Sequence, residues 1–123
     1  MYKVLLVEDN NHNKRLMEQL IADIDDTIHL IHASSGRLAI ELGKEHQFDL
    51  VLMDISLPDM DGIDVTKELK TIPSMKEVPF IVATAHAMHN DEELFLKIFD
   101  DYISKPIDDD IFEQKIQKWL GAK

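Results

Sequence analysis

Leu50-Val51-Leu52-Met53-Asp54 decides the fold. Four apolar residues follow one another without polar alternation, as in a strand buried on both faces of a parallel sheet. The run stops on a carboxylate. Lys3-Val4-Leu5-Leu6-Val7 behaves in the same way and stops on Glu8 and Asp9. Residues 28–32, 80–83 and 102–104 supply three further short apolar runs.

Helical patterns lie between these runs. Leu16, Leu20, Ile21 and Ile24 form one stripe, and Leu38, Ala39 and Leu42 a second. Ile63, Val65 and Leu69 make a third, ending before Pro73. Leu94, Phe95 and Ile98 follow the polar start Asn90-Asp91-Glu92-Glu93 as a fourth. Ile111, Phe112, Ile116, Trp119 and Leu120 make a fifth, opened by Asp108-Asp109-Asp110 and closed by Gly121. Acids at the front and a glycine past the end match helix-start and helix-stop chemistry. Strand and helix thus alternate through the whole chain, which predicts an α/β fold with a parallel sheet and helices on both faces.

Composition narrows the function. The 123 residues suit one domain, expected over 1–123 with no output domain after the last stripe. The net charge of -11 repels phosphate backbones and anionic lipid, so neither nucleic acid nor membrane is expected as a partner. Without cysteine there is no disulfide framework and no thiolate metal site. No leader or spanning segment is visible, and a cytoplasmic location is the default expectation.

In such sheets ligands sit beyond the carboxyl ends of the strands. Glu8 and Asp9 follow the first strand, Asp54 the third, Thr84 the fourth, and Lys105-Pro106 the fifth. Carboxylates that meet there need a counter-charge. Mg²⁺ is a hard cation that binds oxygen and needs few carboxylates. With it bound, Asp54 can attack a phosphoryl donor, while Lys105 and Thr84 supply a cation and a hydroxyl to the phosphoryl oxygens.

The stretches 4–10, 49–62, 79–85 and 102–107 together resemble the receiver domain of bacterial two-component response regulators. That resemblance covers essentially the full length. It implies a CheY-like, flavodoxin-like sheet of strand order 2-1-3-4-5 with five helices. It implies Asp54 as phospho-acceptor, and Asp9, Asp54 and the Ser56 backbone carbonyl as Mg²⁺ ligands, with Glu8 holding a metal-bound water. Thr84 and Tyr102 would be paired switch residues, Lys105 would bridge to the phosphoryl group, and Lys105-Pro106 would be cis. A histidine kinase or histidine phosphotransfer protein would donate the phosphoryl group. Output would be a protein partner on the face made by the fourth helix, fifth strand and fifth helix. Such a domain catalyses only its own phosphorylation and dephosphorylation.

One departure stands out. The family usually closes the fourth helix with a small-residue pair containing glycine. Lys97-Ile98-Phe99-Asp100-Asp101 has none and is one residue short, so this connection must be built another way.

Three other functions compete. A phosphohydrolase of the haloacid dehalogenase type needs an acid two residues after the nucleophile, where this chain has Ser56. A flavin module needs a phosphate cradle where Glu8-Asp9-Asn10-Asn11 would repel one. A degenerate receiver, binding partners without phosphorylation, is the remaining alternative. Of the six histidines, His12, His29, His32 and His46 read as surface or edge residues, and His86 and His89 as structural despite lying near the pocket.

Overall fold

A computed structural model describes residues 2–55, 57, 59–84 and 98–121. Five strands form one parallel sheet: β1 (Lys3–Val7), β2 (His29–Ala33), β3 (Leu50–Asp54), β4 (Phe80–Thr84) and β5 (Asp101–Ser104). Their order is β2-β1-β3-β4-β5, as expected. Four helices are described: α1 (Asn11–Ile24), α2 (Gly36–Glu45), α3 (Gly62–Leu69) and α4 (Asp109–Gly121). A short 3₁₀ turn, Pro73–Met75, precedes β4. The fourth helical stripe lies outside the described residues apart from Ile98, so α4 corresponds to the fifth stripe.

Both faces of the sheet are buried, which explains the unbroken apolar runs. Leu5, Val7, Val51, Met53, Phe80 and Val82 point to one side and pack with Ala39, Val65 and Leu69 of α2 and α3. Val4, Leu6, Leu50, Leu52, Ile81 and Ala83 point to the other and pack with Met17 and Ile21 of α1 and with Phe112, Ile116 and Leu120 of α4. Complete burial of one such side chain contributes about 1.5–3 kcal/mol.

Two helix stripes need correction. On α2 the buried residues are Gly36, Ala39 and Gly43, while Leu38 is exposed. The reason is close packing on α3. A methyl on Gly36 would lie 2.5 Å from Val65 Cγ2, and one on Gly43 would lie 2.6 Å from Leu69 Cδ2. Only small residues fit that seam. On α4, Ile111 is exposed and the core face is Phe112, Ile116 and Leu120.

Among its described residues, 98–101, the connection into β5 has no left-handed residue. Lys70 Nζ donates to the Ile98 carbonyl at 2.7 Å, giving that carbonyl a partner from the residue that caps α3. Phe99 is buried in the core. Asp100 then pairs with the start of β4: its amide donates to the Phe80 carbonyl at 2.8 Å, and its carboxylate accepts from the Phe80 amide at 2.7 Å.

Candidate phosphoryl-acceptor site

Every acid of the site hangs from the end of a central strand. Asp54 is the last residue of β3, and Glu8 and Asp9 directly follow β1, which pairs with β3. Glu8 and Asp54 are buried, whereas Asp9 is exposed. One carboxylate oxygen from each of the three lies within 4.8 Å of the others.

Lys105 reaches this cluster from the far edge of the sheet. Its amide donates to the Thr84 carbonyl at 2.9 Å, and the Lys105-Pro106 bond is cis, as expected. Its Nζ stands 3.2 Å from Glu8 Oε1 and 3.2 Å from Asp54 Oδ1. The contact to Asp54 is a hydrogen bond, whereas the contact to Glu8 Oε1 is ionic without hydrogen-bond alignment. Glu8 Oε2 accepts from the Asn10 amide at 3.3 Å.

The charges perturb one another. Burial, and then the Asp54 carboxylate beside it, push the Glu8 carboxyl up to about 7, against the pull of Lys105. Burial alone would lower the Lys105 ammonium, but Asp54 and Glu8 outweigh it and hold it above its ordinary value.

The cluster suits a hard divalent cation. Its donors are all carboxylate oxygens. Glu8 Oε1 is a buried acid oxygen with no aligned hydrogen bond among the described residues. A water on a bound ion would supply one.

Of the residues expected from the sequence, the structure brings Glu8, Asp9, Asp54 and Lys105 together. Thr84 is buried at the end of β4, beside Ser104 in the register, and Tyr102 pairs with Val82 on the neighbouring strands. Ser56 lies outside the described residues, as do His86 and His89.

Several supporting residues were not singled out from the sequence. The Asp59 carboxylate accepts from the amides of Gly36 at 2.9 Å and Arg37 at 3.1 Å, which ties the loop after β3 to the start of α2. Those two hydrogen bonds hold its carboxyl below the usual carboxylate range. Asp61 caps α3 by accepting from the Ile63 amide at 2.7 Å. His32 lies on the edge strand β2, as expected, and its ring donates to the Glu8 carbonyl at 2.6 Å. Asp101 links β5 to α4, accepting from Lys115 Nζ at 2.9 Å and from Trp119 Nε1 at 3.0 Å. Lys115 Nζ also donates to the Tyr102 carbonyl and stands 4.6 Å from the centre of the Tyr102 ring. Only the Asp61 cap carries a local sequence signal; the other contacts join distant segments.

Residues 4–117 match the response regulator receiver domain model. The chain belongs to that family. It is 41% identical over 119 residues to the polar-differentiation response regulator DivK of Brucella ovis, covering 96% of this chain and 95% of that protein. It is 30% identical to the receiver domain of a Pseudomonas aeruginosa sensor histidine kinase, with a TM-score of 0.87 and 98% of each chain covered. That crystal structure holds a magnesium ion coordinated in its active-site cleft. The Vibrio cholerae chemotaxis protein CheY4 shares the fold, with a TM-score of 0.88 at 21% identity, over 98% of this chain and 99% of that one. As a receiver domain, the chain is a two-component signalling module of a family that switches by phosphorylation. No helix among the described residues is long and apolar enough to cross a membrane.

Proposed function

We propose that this receiver accepts a phosphoryl group on Asp54 in a Mg²⁺-dependent reaction and passes the signal on through a change of shape. The observation that carries this reading is the position of Lys105 Nζ, 3.2 Å from both a Glu8 and an Asp54 oxygen at the mouth of the sheet. A cation placed on the acceptor and its neighbour is what phosphoryl transfer needs.

In this reading Asp9, Asp54 and the Ser56 carbonyl would hold Mg²⁺, with Glu8 through a water, and the ion would supply positive charge to the phosphoryl oxygens. The donor is the phosphohistidine of a histidine kinase or phosphotransfer protein in the cytoplasm. An Asp54 carboxylate oxygen attacks the phosphorus. The phosphorus–nitrogen bond breaks and its electron pair returns to the ring nitrogen, so a phosphohistidine that carries a proton on its other ring nitrogen leaves as neutral imidazole. An acyl phosphate remains on Asp54. Lys105 then pairs with a phosphoryl oxygen, and the Thr84 hydroxyl donates to another. Movement of Thr84 lets the Tyr102 ring turn inward. A fifth helix, between Thr84 and Ile98, would complete the fold, and partners would read the surface it forms with β5 and α4. Water later hydrolyses the acyl phosphate, so the domain turns over only its own phosphorylation.

The test is incubation with acetyl phosphate and Mg²⁺. The expected result is one added phosphoryl group by intact mass, labile to hydroxylamine and absent from Asp54→Asn. Label that persists in Asp54→Asn would refute the assignment. Failure to take up either phosphoryl or beryllofluoride would favour the degenerate receiver instead.

A further inference from the structure

The β1–β2 ladder ends at the pair Val7 and Ala33. One further rung follows, in which the Glu8 amide donates to the Ala33 carbonyl at 3.0 Å. Beyond Ala33 the chain leaves the sheet: Ser35 caps α2, and the Gly36 amide is committed to Asp59. The Glu8 carbonyl, at the mouth of the acid cluster, instead receives the side chain of His32 at 2.6 Å. A carbonyl oxygen only accepts, so His32 Nε2 carries the hydrogen.

The peptide joining Glu8 to Asp9 is therefore held by the imidazole, and the Glu8 amide before it by Ala33. Both acids hang from that segment. A group that touches no ligand can still set the ligand oxygens by fixing the backbone that carries them.

We propose that His32 is a positioning residue for the cation site: its Nε2–H replaces the missing rung of the sheet and fixes the Glu8–Asp9 peptide in the geometry that binds Mg²⁺. This rests on the magnesium reading above.

The experiment compares Mg²⁺ affinity by calorimetry for the full chain and three variants. His32→Leu and His32→Val remove the donor in different shapes, so the failure of either to fold leaves the other. His32→Gln keeps an N–H at a similar reach. The expected result is a loss of roughly tenfold or more for the apolar variants, as for other groups that orient metal ligands, with His32→Gln close to the parent. Thermal melts without Mg²⁺ check folding, and rescue by glutamine is a result that a packing role would not produce. Parent-like affinity in a folded His32→Leu or His32→Val would overturn the proposal. A His32→Gln variant as weak as the apolar pair would overturn the donor role. A parent that takes up no Mg²⁺ would sink the magnesium reading itself.

Discussion

Gly62 sits directly against the backbone of Asp54. A methyl on Gly62 would lie 2.4 Å from the Asp54 carbonyl oxygen and 2.9 Å from Ile55 Cα. The Gly62 amide also donates to the Ile55 carbonyl at 3.1 Å. Glycine is needed here for space, since no described glycine has positive φ. Gly62→Ala should cost about 1–3 kcal/mol in urea denaturation, the usual penalty for overpacking a tight site. It should also slow phosphorylation by acetyl phosphate, because Asp54 is the residue displaced. An alanine variant with parent stability and rate would contradict the contact.

On the proposed magnesium reading, Lys105 and the cation would be alternative counter-charges for the same carboxylates. Lys105→Ala should therefore bind Mg²⁺ at least as tightly as the parent. Without metal, the variant leaves Glu8 and Asp54 facing each other unneutralised. Breaking a buried ion pair costs about 3–5 kcal/mol, an upper figure here because Glu8 can take up a proton. Phosphorylation should fall steeply despite normal metal binding. Weakened Mg²⁺ affinity in Lys105→Ala would show that the lysine serves the metal site.

The raised Glu8 carboxyl, at about 7 against an ordinary 4.5, sets a pH dependence. Between those values the folded protein holds a proton that the unfolded chain has released. Stability without metal should therefore be full below the ordinary value and fall as pH rises through about 7. Mg²⁺ should offset the fall, since bound metal favours the ionised acid. Urea midpoints at several pH values, with and without Mg²⁺, measure this. Glu8→Gln should flatten the metal-free curve, and an unchanged slope in that variant would assign the proton elsewhere.

Trp119 is the sole tryptophan and reports on the join between β5 and α4. Asp101 accepts from Trp119 Nε1, from Lys115 Nζ and from the Tyr102 amide. Although burial alone would raise the Asp101 carboxyl, these donors hold it below its ordinary value. Its contribution is thus present above that ordinary value and lost as pH falls through the depressed one. Asp101→Ala should cost about 1–3 kcal/mol, as donors left unpaired commonly do. Trp119 emission should shift to the red. Unchanged emission would mean that the indole does not depend on this carboxylate.

The alternation of apolar runs and helical stripes was enough to place the sheet, because a strand buried on both faces must be apolar at every position. Carboxylates ending two such runs, and a lysine following a third, located the acid cluster for the same reason: parallel strands bring their ends to one edge. The choice of buried face on α2 was hidden. Hydropathy favours Leu38, but the close approach of α3 leaves room only for Gly36, Ala39 and Gly43. The hydrogen bond of the edge residue His32 was hidden because its partner, the Glu8 carbonyl, has no side-chain signature at all. The join into β5 was legible as a departure, but its solution depends on Lys70 reaching the Ile98 carbonyl. Local pattern carries what repeats along the chain. Contacts between segments dozens of residues apart depend on separations that exist only once the layers have packed.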